Sequence, residues 1–219
     1  MEKRNTLTSG TSRLEAFTDG VFAIAITLLV LDIHVPVPGR SLVQGLLADW
    51  PTFLAFLVGF FTILVCWINH HYMFQFIRRS NGQVLLLNGL KLLVVSVTPF
   101  VTAVLSKYLQ GAESGTAVVI YTGNFALMGS TMGCLWHYAS RNGLATAESA
   151  TVLRANDTLY LLSCVVSLGI FFVSLISVTT CLVLSAGMFG LFLFPERTAQ
   201  RIARRHHSAS HTPIVDLHG

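Results

Sequence analysis

The sequence predicts an all-α membrane protein with six transmembrane helices per subunit. Three observations predict it. Only 11% of the 219 residues are charged and 53% are hydrophobic, whereas a soluble domain carries about 25% charged residues. Mean hydropathy is +0.66. Six apolar runs, each close to the roughly 20 residues that span a bilayer core, fill most of the chain and leave only short connections. So few charges cannot cover a soluble surface. A disordered chain is also excluded, since that state needs low hydrophobicity and high charge.

The runs fall at residues 17–35, 51–74, 83–106, 116–138, 157–177 and 178–195. The first follows the polar residues Arg13 and Glu15, and Pro36 and Pro38 end it. The second ends Trp67-Ile68-Asn69-His70-His71-Tyr72. The third carries Asn88 and Lys91 in its first turns, and the fourth closes with Trp136 and His137. The last two come from one stretch of 36 residues, Leu159 to Phe194, without a charge. That is too long for one span, so the polar residues from Ser177 to Thr180 are expected to form a tight turn. Five spans are the alternative count.

Charge supports the even number. Eleven of the fourteen Lys and Arg residues sit before the first run, in the second and fourth connections and in the tail. Arg40 and Lys107 lie on the other side and Lys91 within a span. The excess of cytoplasmic Lys and Arg in membrane proteins then puts both termini inside. The net charge of +4 and pI of about 9.1 reflect this topology, so no nucleic-acid partner is expected.

Residues 1–195 read as a transmembrane domain and 196–219 as a basic cytoplasmic tail. The tail, with His206, His207, His211 and His218, is expected to be solvated and partly disordered, in preference to a helix on anionic lipid or a metal-binding end. Cys66, Cys134, Cys164 and Cys181 all lie in apolar stretches without finger spacing. They read as small buried residues, neither disulfides nor a zinc site. The polar first 16 residues lack the pattern of a cleavable signal peptide. An enzyme is not expected, because no HExxH, no GxSxG and no facing Asp pair is present.

Ionisable side chains inside a span are costly and tend to be functional, which singles out the first run. It reads Arg13-x-x-x-Phe17-Thr18-Asp19, then twelve uncharged residues, then Asp32. The two carboxylates lie about 20 Å apart along a helix. Asp19 with Thr18 is either a helix cap or part of a polar network, and Asp32 marks the outer exit. Asn69, His70, His71, Asn88 and His137 share the depth of Asp19. His70 and His71 point about 100° apart on a helix, so a hydrogen-bonded network fits better than a metal site. Ile24, Leu28 and Leu31 follow an i, i+4, i+7 spacing that shares one helix face with Thr27. By itself such a stripe reads as helix packing.

The Arg13–Asp19 motif and its tail resemble the bacterial branch of the TMEM175 potassium channel family. That family's signature is Arg-x-x-x-Phe-Ser-Asp at the start of the first transmembrane helix. Thr18 stands where the family has Ser and keeps the hydroxyl. Trp67-Ile68-Asn69-His70-His71 looks like the end of its second helix, and Asn88 with Thr98-Pro99-Phe100-Val101-Thr102 looks like its third. The resemblance covers residues 13–105.

The resemblance implies a homotetramer in the bacterial plasma membrane that conducts monovalent cations, potassium preferred, with the first helix of each subunit lining a central pore. Apolar side chains form the constriction in place of a TVGYG-type filter. Here that assigns the constriction to Ile24, Leu28 and Leu31, an ion-contacting hydroxyl to Thr27 and the outer mouth to Asp32. Arg13, Phe17, Thr18 and Asp19 would lock the helix to its neighbours with Asn69, His70 and His137. No cofactor and no resident metal is implied, only permeant K⁺.

The alternative is a proton- or ion-coupled secondary transporter with an Asp, His and Lys relay. Pro99 and scattered glycines would allow a break in the third run. Lys91 is expected to snorkel to the cytoplasm or to neutralise an acid.

Overall fold

A computed structural model describes residues 10–36, 41–147, 149–177, 187 and 192–210. Its helices are α1 (Ser12–Leu28, prolonged by a 3-10 turn over Leu29–Asp32), α2 (Leu42–Ala48), α3 (Trp50–Phe74), α4 (Gly82–Tyr108), α5 (Ser114–Arg141), α6 (Ala150–Ser174) and α7 (Pro195–Ser210). Five of them, α1 with its turn, α3, α4, α5 and α6, are long and apolar enough to cross a membrane. The protein is a helical multi-span membrane protein. The sixth apolar run and the turn before it lie almost wholly outside the described residues.

The helices outrun the apolar runs at their polar ends, for local reasons. Asn81 caps α4, its side chain accepting from the Val84 N–H at 3.0 Å. Ser149 caps α6 in the same way through Val152. The helix therefore opens at Ala150, and the polar turn Ala150–Asn156 precedes the apolar run. Helix α1 opens at Ser12, which leaves Asp19 two turns inside it and removes the capping reading. Pro99 does not break α4. Beside it, the Thr98 hydroxyl donates to the Val94 carbonyl at 3.3 Å and Thr102 donates to the Thr98 carbonyl at 2.8 Å.

Helix α1 packs on α3 and α4; α4 packs on α5, α5 on α6, and α6 on α7. The core runs through Phe22, Ile63, Leu135, Trp136, Leu159 and Tyr160. Polar side chains join helices across it, as in other membrane bundles. Thr62 meets the Tyr121 hydroxyl at 2.7 Å, Thr122 meets Ser174 at 2.8 Å, and Asn124 donates to Thr98 at 3.0 Å. The α3–α4 and α5–α6 connections meet in an isolated β-bridge between Ile77 and Ala145. Arg78 N–H donates to the Leu144 carbonyl and Thr146 N–H to that of Phe76. The two connections therefore lie at the same end of the bundle.

Two expectations are corrected. The start of the tail is helical over Pro195–Ser210, because Ala199 and Ile202, three residues apart, give it an apolar side that packs on the core. Cys134 is exposed, Cys66 buried and Cys164 half-buried. Cys134 lies at the surface of α5, along the groove that α5 shares with α6. Cys181, the side chains of His206 and His207, and residues 211–219 lie outside the described part.

Candidate functional site

The first helix has two unlike faces. Thr18, Phe22, Ala25 and Leu29 are buried against α3 and α4. Their spacing of four, three and four residues is one side of an α-helix. The opposite side is bare. Phe17 is 66% exposed, Ile24 62% and Leu31 70%, at strict seven-residue intervals. Gly20, Thr27 and Leu28 fill the exposed face between them. A seven-residue apolar repeat is the seam along which helices pack against copies of themselves.

The buried side is held by polar bonds from two helices. The indole N–H of Trp67 on α3 donates to Asp19 Oδ1 at 2.8 Å. The side-chain amide of Asn88 on α4 donates to the Thr18 hydroxyl at 2.8 Å. One turn further along, Lys91 Nζ bonds His70 Nδ1 and lies 5.4 Å from the centre of the Phe22 ring. The His70 ring packs between Phe22 and Phe74. Lys91 is 0% exposed. It does not snorkel, because α1 covers it; no carboxylate among the described residues bonds it directly, while Asp19 lies within electrostatic reach.

The expected locking set is thus split. Thr18, Asp19 and His70 come together behind α1. Asn69 does not join them. Its side-chain amide donates to the Val65 and Phe192 carbonyls, each at 2.8 Å, and its backbone carbonyl accepts from the Tyr160 hydroxyl at 3.3 Å. It ties α3 to α6 and to the residues before α7. His137 lies on α5 in a groove with Arg141 and Asp157, while α1's neighbours are α3 and α4. Arg13 and Phe17 are exposed within the protomer. Trp67 and Lys91 were missed as anchors. For Trp67 the available signal was an indole donor at the depth of the motif carboxylate.

On the bare face, the Thr27 hydroxyl donates to the Ile24 carbonyl at 2.9 Å. Its proton is therefore engaged and its oxygen remains an acceptor. The 3-10 turn carries Asp32 to the rim of a cavity of about 510 Å³, which His34, Asp49 and Lys107 also line. The His34 ring donates from Nδ1 to the Asp32 carbonyl at 2.8 Å. Among the described residues no cluster of three or more His, Cys, Asp or Glu side chains can hold a metal.

A helix pinned along one side leaves its other side, bare among the described residues, open to lipid or to another chain. Its bare surface offers apolar side chains, one hydroxyl and a carboxylate at one end. That is suited to lining a path between several copies.

Known proteins with this sequence pattern are channels by name. The family model described as endosomal/lysosomal potassium channel TMEM175 matches residues 13–99. A potassium channel of Chamaesiphon minutus is 44% identical over 146 residues, covering 65% of this chain and 72% of that one. A potassium channel of Streptomyces collinus is 39% identical over 171 residues, covering 74% and 82%. The human endosomal/lysosomal proton channel TMEM175 is 30% identical over 225 residues, which is 89% of this chain but 45% of that protein. Among solved structures, a lysosomal potassium-selective channel TMEM175 homolog from Chamaesiphon minutus superposes with a TM-score of 0.73 at 36% identity, over 88% of this chain and 97% of that one.

Proposed function

The chain belongs to the TMEM175 family, and from that premise we propose that it is a potassium channel whose pore is lined by α1. The bare stripe of Phe17, Ile24, Leu28 and Leu31 carries this reading, because the motif residues on the opposite side are already engaged. One chain with one such helix cannot enclose a path. Four copies around a central axis bring four stripes together in the bilayer.

Ile24, Leu28 and Leu31 then form stacked apolar rings, which close a pore by blockage and dewetting. The Thr27 oxygens lie beside the narrowest ring and replace part of a cation's hydration shell. Asp32 carboxylates concentrate cations at the outer mouth. Arg13, Thr18, Asp19 and His70 set the position of α1 without touching the ion, and Asn69 braces the helices behind. The work needs no cofactor and no resident metal, only permeant K⁺. The chain sits in the bacterial plasma membrane as residues 1–195 with both termini, and the tail 196–219, in the cytoplasm. It does no enzymatic chemistry. Unbroken α1 and α4 do not favour the coupled-transporter alternative, which relies on interrupted helices.

Protons are a second candidate for permeation, because the human relative is named a proton channel. Purified protein in liposomes separates these readings. Under outward K⁺, Na⁺ and H⁺ gradients in turn, wild type is expected to pass K⁺ fastest and passively. Ile24→Asn wets the constriction and raises the flux. Flux only when a second gradient drives it, unaltered by Ile24→Asn, would move α1's stripe back to helix packing.

A further inference from the structure

The α5–α6 groove remains unused by this reading. It has a volume of about 420 Å³ and lies towards the end of the bundle that carries the α5–α6 connection, the end that the proposed topology puts in the cytoplasm. Gly133, His137 and Arg141 line it from α5, and Asp157, Leu161 and Cys164 from α6. His137 and Arg141 are four residues apart and so share one helix face. Both are exposed. The upper wall is apolar or small, since Gly133 lets the Cys164 side chain approach and Leu161 stands exposed beside it. The groove is thus an open slot with a largely apolar wall and a polar end, where Arg141 and His137 stand with Asp157.

Its one carboxylate is already engaged. Asp157 accepts the Trp136 indole N–H at 2.7 Å, and no carboxylate among the described residues pairs with Arg141. The slot also lies on the side of the bundle away from α1, whose neighbours are α3 and α4. In an assembly centred on α1, a premise shared with the proposed function, that side faces the bilayer.

We infer that this groove is a binding site for an anionic phospholipid of the cytoplasmic leaflet. The occupant must carry an apolar chain and an anionic head at the membrane–water boundary, and basic pockets between transmembrane helices on this side suit such heads. The Arg141 guanidinium donates to the phosphate oxygens, which its planar fork matches. His137, one turn deeper, supplies a second donor. The acyl chain lies along Gly133, Leu161 and Cys164.

The experiment counts lipids retained by the detergent-purified protein in native mass spectrometry. Phosphatidylglycerol is the probe, phosphatidylcholine the neutral comparison and inorganic phosphate the competitor. Wild type is expected to retain phosphatidylglycerol over phosphatidylcholine by about fivefold, the effect of one basic residue at a membrane surface. Arg141→Gln should abolish the preference. Leu161→Trp should reduce retention of the lipid by filling the apolar wall with Arg141 intact. Arg154→Gln, an exposed arginine outside the groove, should change nothing. Equal retention of both lipids by wild type, or the same preference in Arg141→Gln, overturns the site. Displacement of the lipid by millimolar phosphate alone overturns the lipid part. The count does not depend on conduction, so failure of the channel reading is scored separately by ion flux.

Discussion

The Trp67 indole donates to the Asp19 carboxylate at 2.8 Å, while the neighbouring Thr18 accepts from Asn88 at 2.8 Å. Two consecutive residues of α1 thus reach two different helices, α3 and α4. Consecutive residues diverge by about 100° on a helix, so the pair fixes both the position and the rotation of α1. Trp67→Phe keeps the ring and removes the donor, and Asp19→Asn removes the charge. Each is expected to cost about 1 kcal/mol, because this bond is solvent-exposed and so falls below the ~1.5–3 kcal/mol of hydrogen bonds to charged groups. The loss in the double variant should fall short of the sum of the two single losses, because Asp19→Asn weakens the same bond that Trp67→Phe removes. Thermal unfolding in detergent measures all four proteins, and strictly additive losses would show that the bond does not couple the helices. Asp19→Ala goes further and should lower oligomer yield on gel filtration as well as ion flux.

Lys91 offers a sharper contrast, because it is buried with His70 as its hydrogen-bond partner and the Phe22 ring beside it. Lys91→Met combined with His70→Phe fills the same space without a polar group to satisfy. The pair should fold at least as well as wild type, as is often found when both buried polar partners give way to apolar side chains. His70→Ala instead leaves the Lys91 amine buried without its partner. It should destabilise by about 3 kcal/mol, the penalty of an unsatisfied buried group plus lost packing. Chemical denaturation of the purified variants ranks them. A His70→Ala protein as stable as wild type would mean that the contact contributes nothing.

Membrane depth was legible in the sequence; direction around each helix was not. The five apolar runs that the structure describes emerge as spanning helices because hydropathy reports which segments leave water. Their polar first turns extend beyond the runs because caps such as Asn81 and Ser149, not hydropathy, set where helical hydrogen bonding starts. Helix α2 spans two turns and carried no periodic signal. Asn69 and His70 show the second limit. They are adjacent and equally deep, yet His70 turns to Lys91 and Phe22 while Asn69 turns to Phe192 and Tyr160. His137 shares their depth and stands on α5, in another part of the bundle. Only tertiary packing decides which neighbour each side chain meets. The i, i+4, i+7 stripe of α1 was visible as a pattern, but its exposure was not.

That exposure yields a chemical test of which face of α1 meets the permeant ion. Cysteines at Ile24 and Leu31 should react with a small charged thiol reagent and lose flux, whereas a cysteine at the buried Ala25 should not. The native Cys134 is exposed and must first be replaced by Ser. Modification of Ala25→Cys in preference to Ile24→Cys would turn the helix around and place the pore on the side now packed against α3 and α4.

Gly59 gives a test of how tightly the outer half of α1 is held. It lies in α3 where that helix meets both α4 and the 3-10 turn of the first helix. A Cβ at this position would stand 2.8 Å from the Thr102 hydroxyl oxygen, 3.0 Å from its methyl group and 3.1 Å from Leu29 Cδ2. Thr102 cannot swing aside freely, because its hydroxyl donates to the Thr98 carbonyl at 2.8 Å. Gly59→Ala therefore overpacks the junction, and about 1–3 kcal/mol of stability should be lost. Leu29 sits on the side of α1 opposite Leu31, so pressure on it is transmitted towards the proposed pore. Flux should change along with stability. Thr102→Ala combined with Gly59→Ala removes the two nearest atoms and should recover most of both losses. Recovery of stability without recovery of flux would place the pressure on Leu29 alone. No loss in Gly59→Ala at all would show that α3 and α4 have room to part there, and that the turn is not clamped.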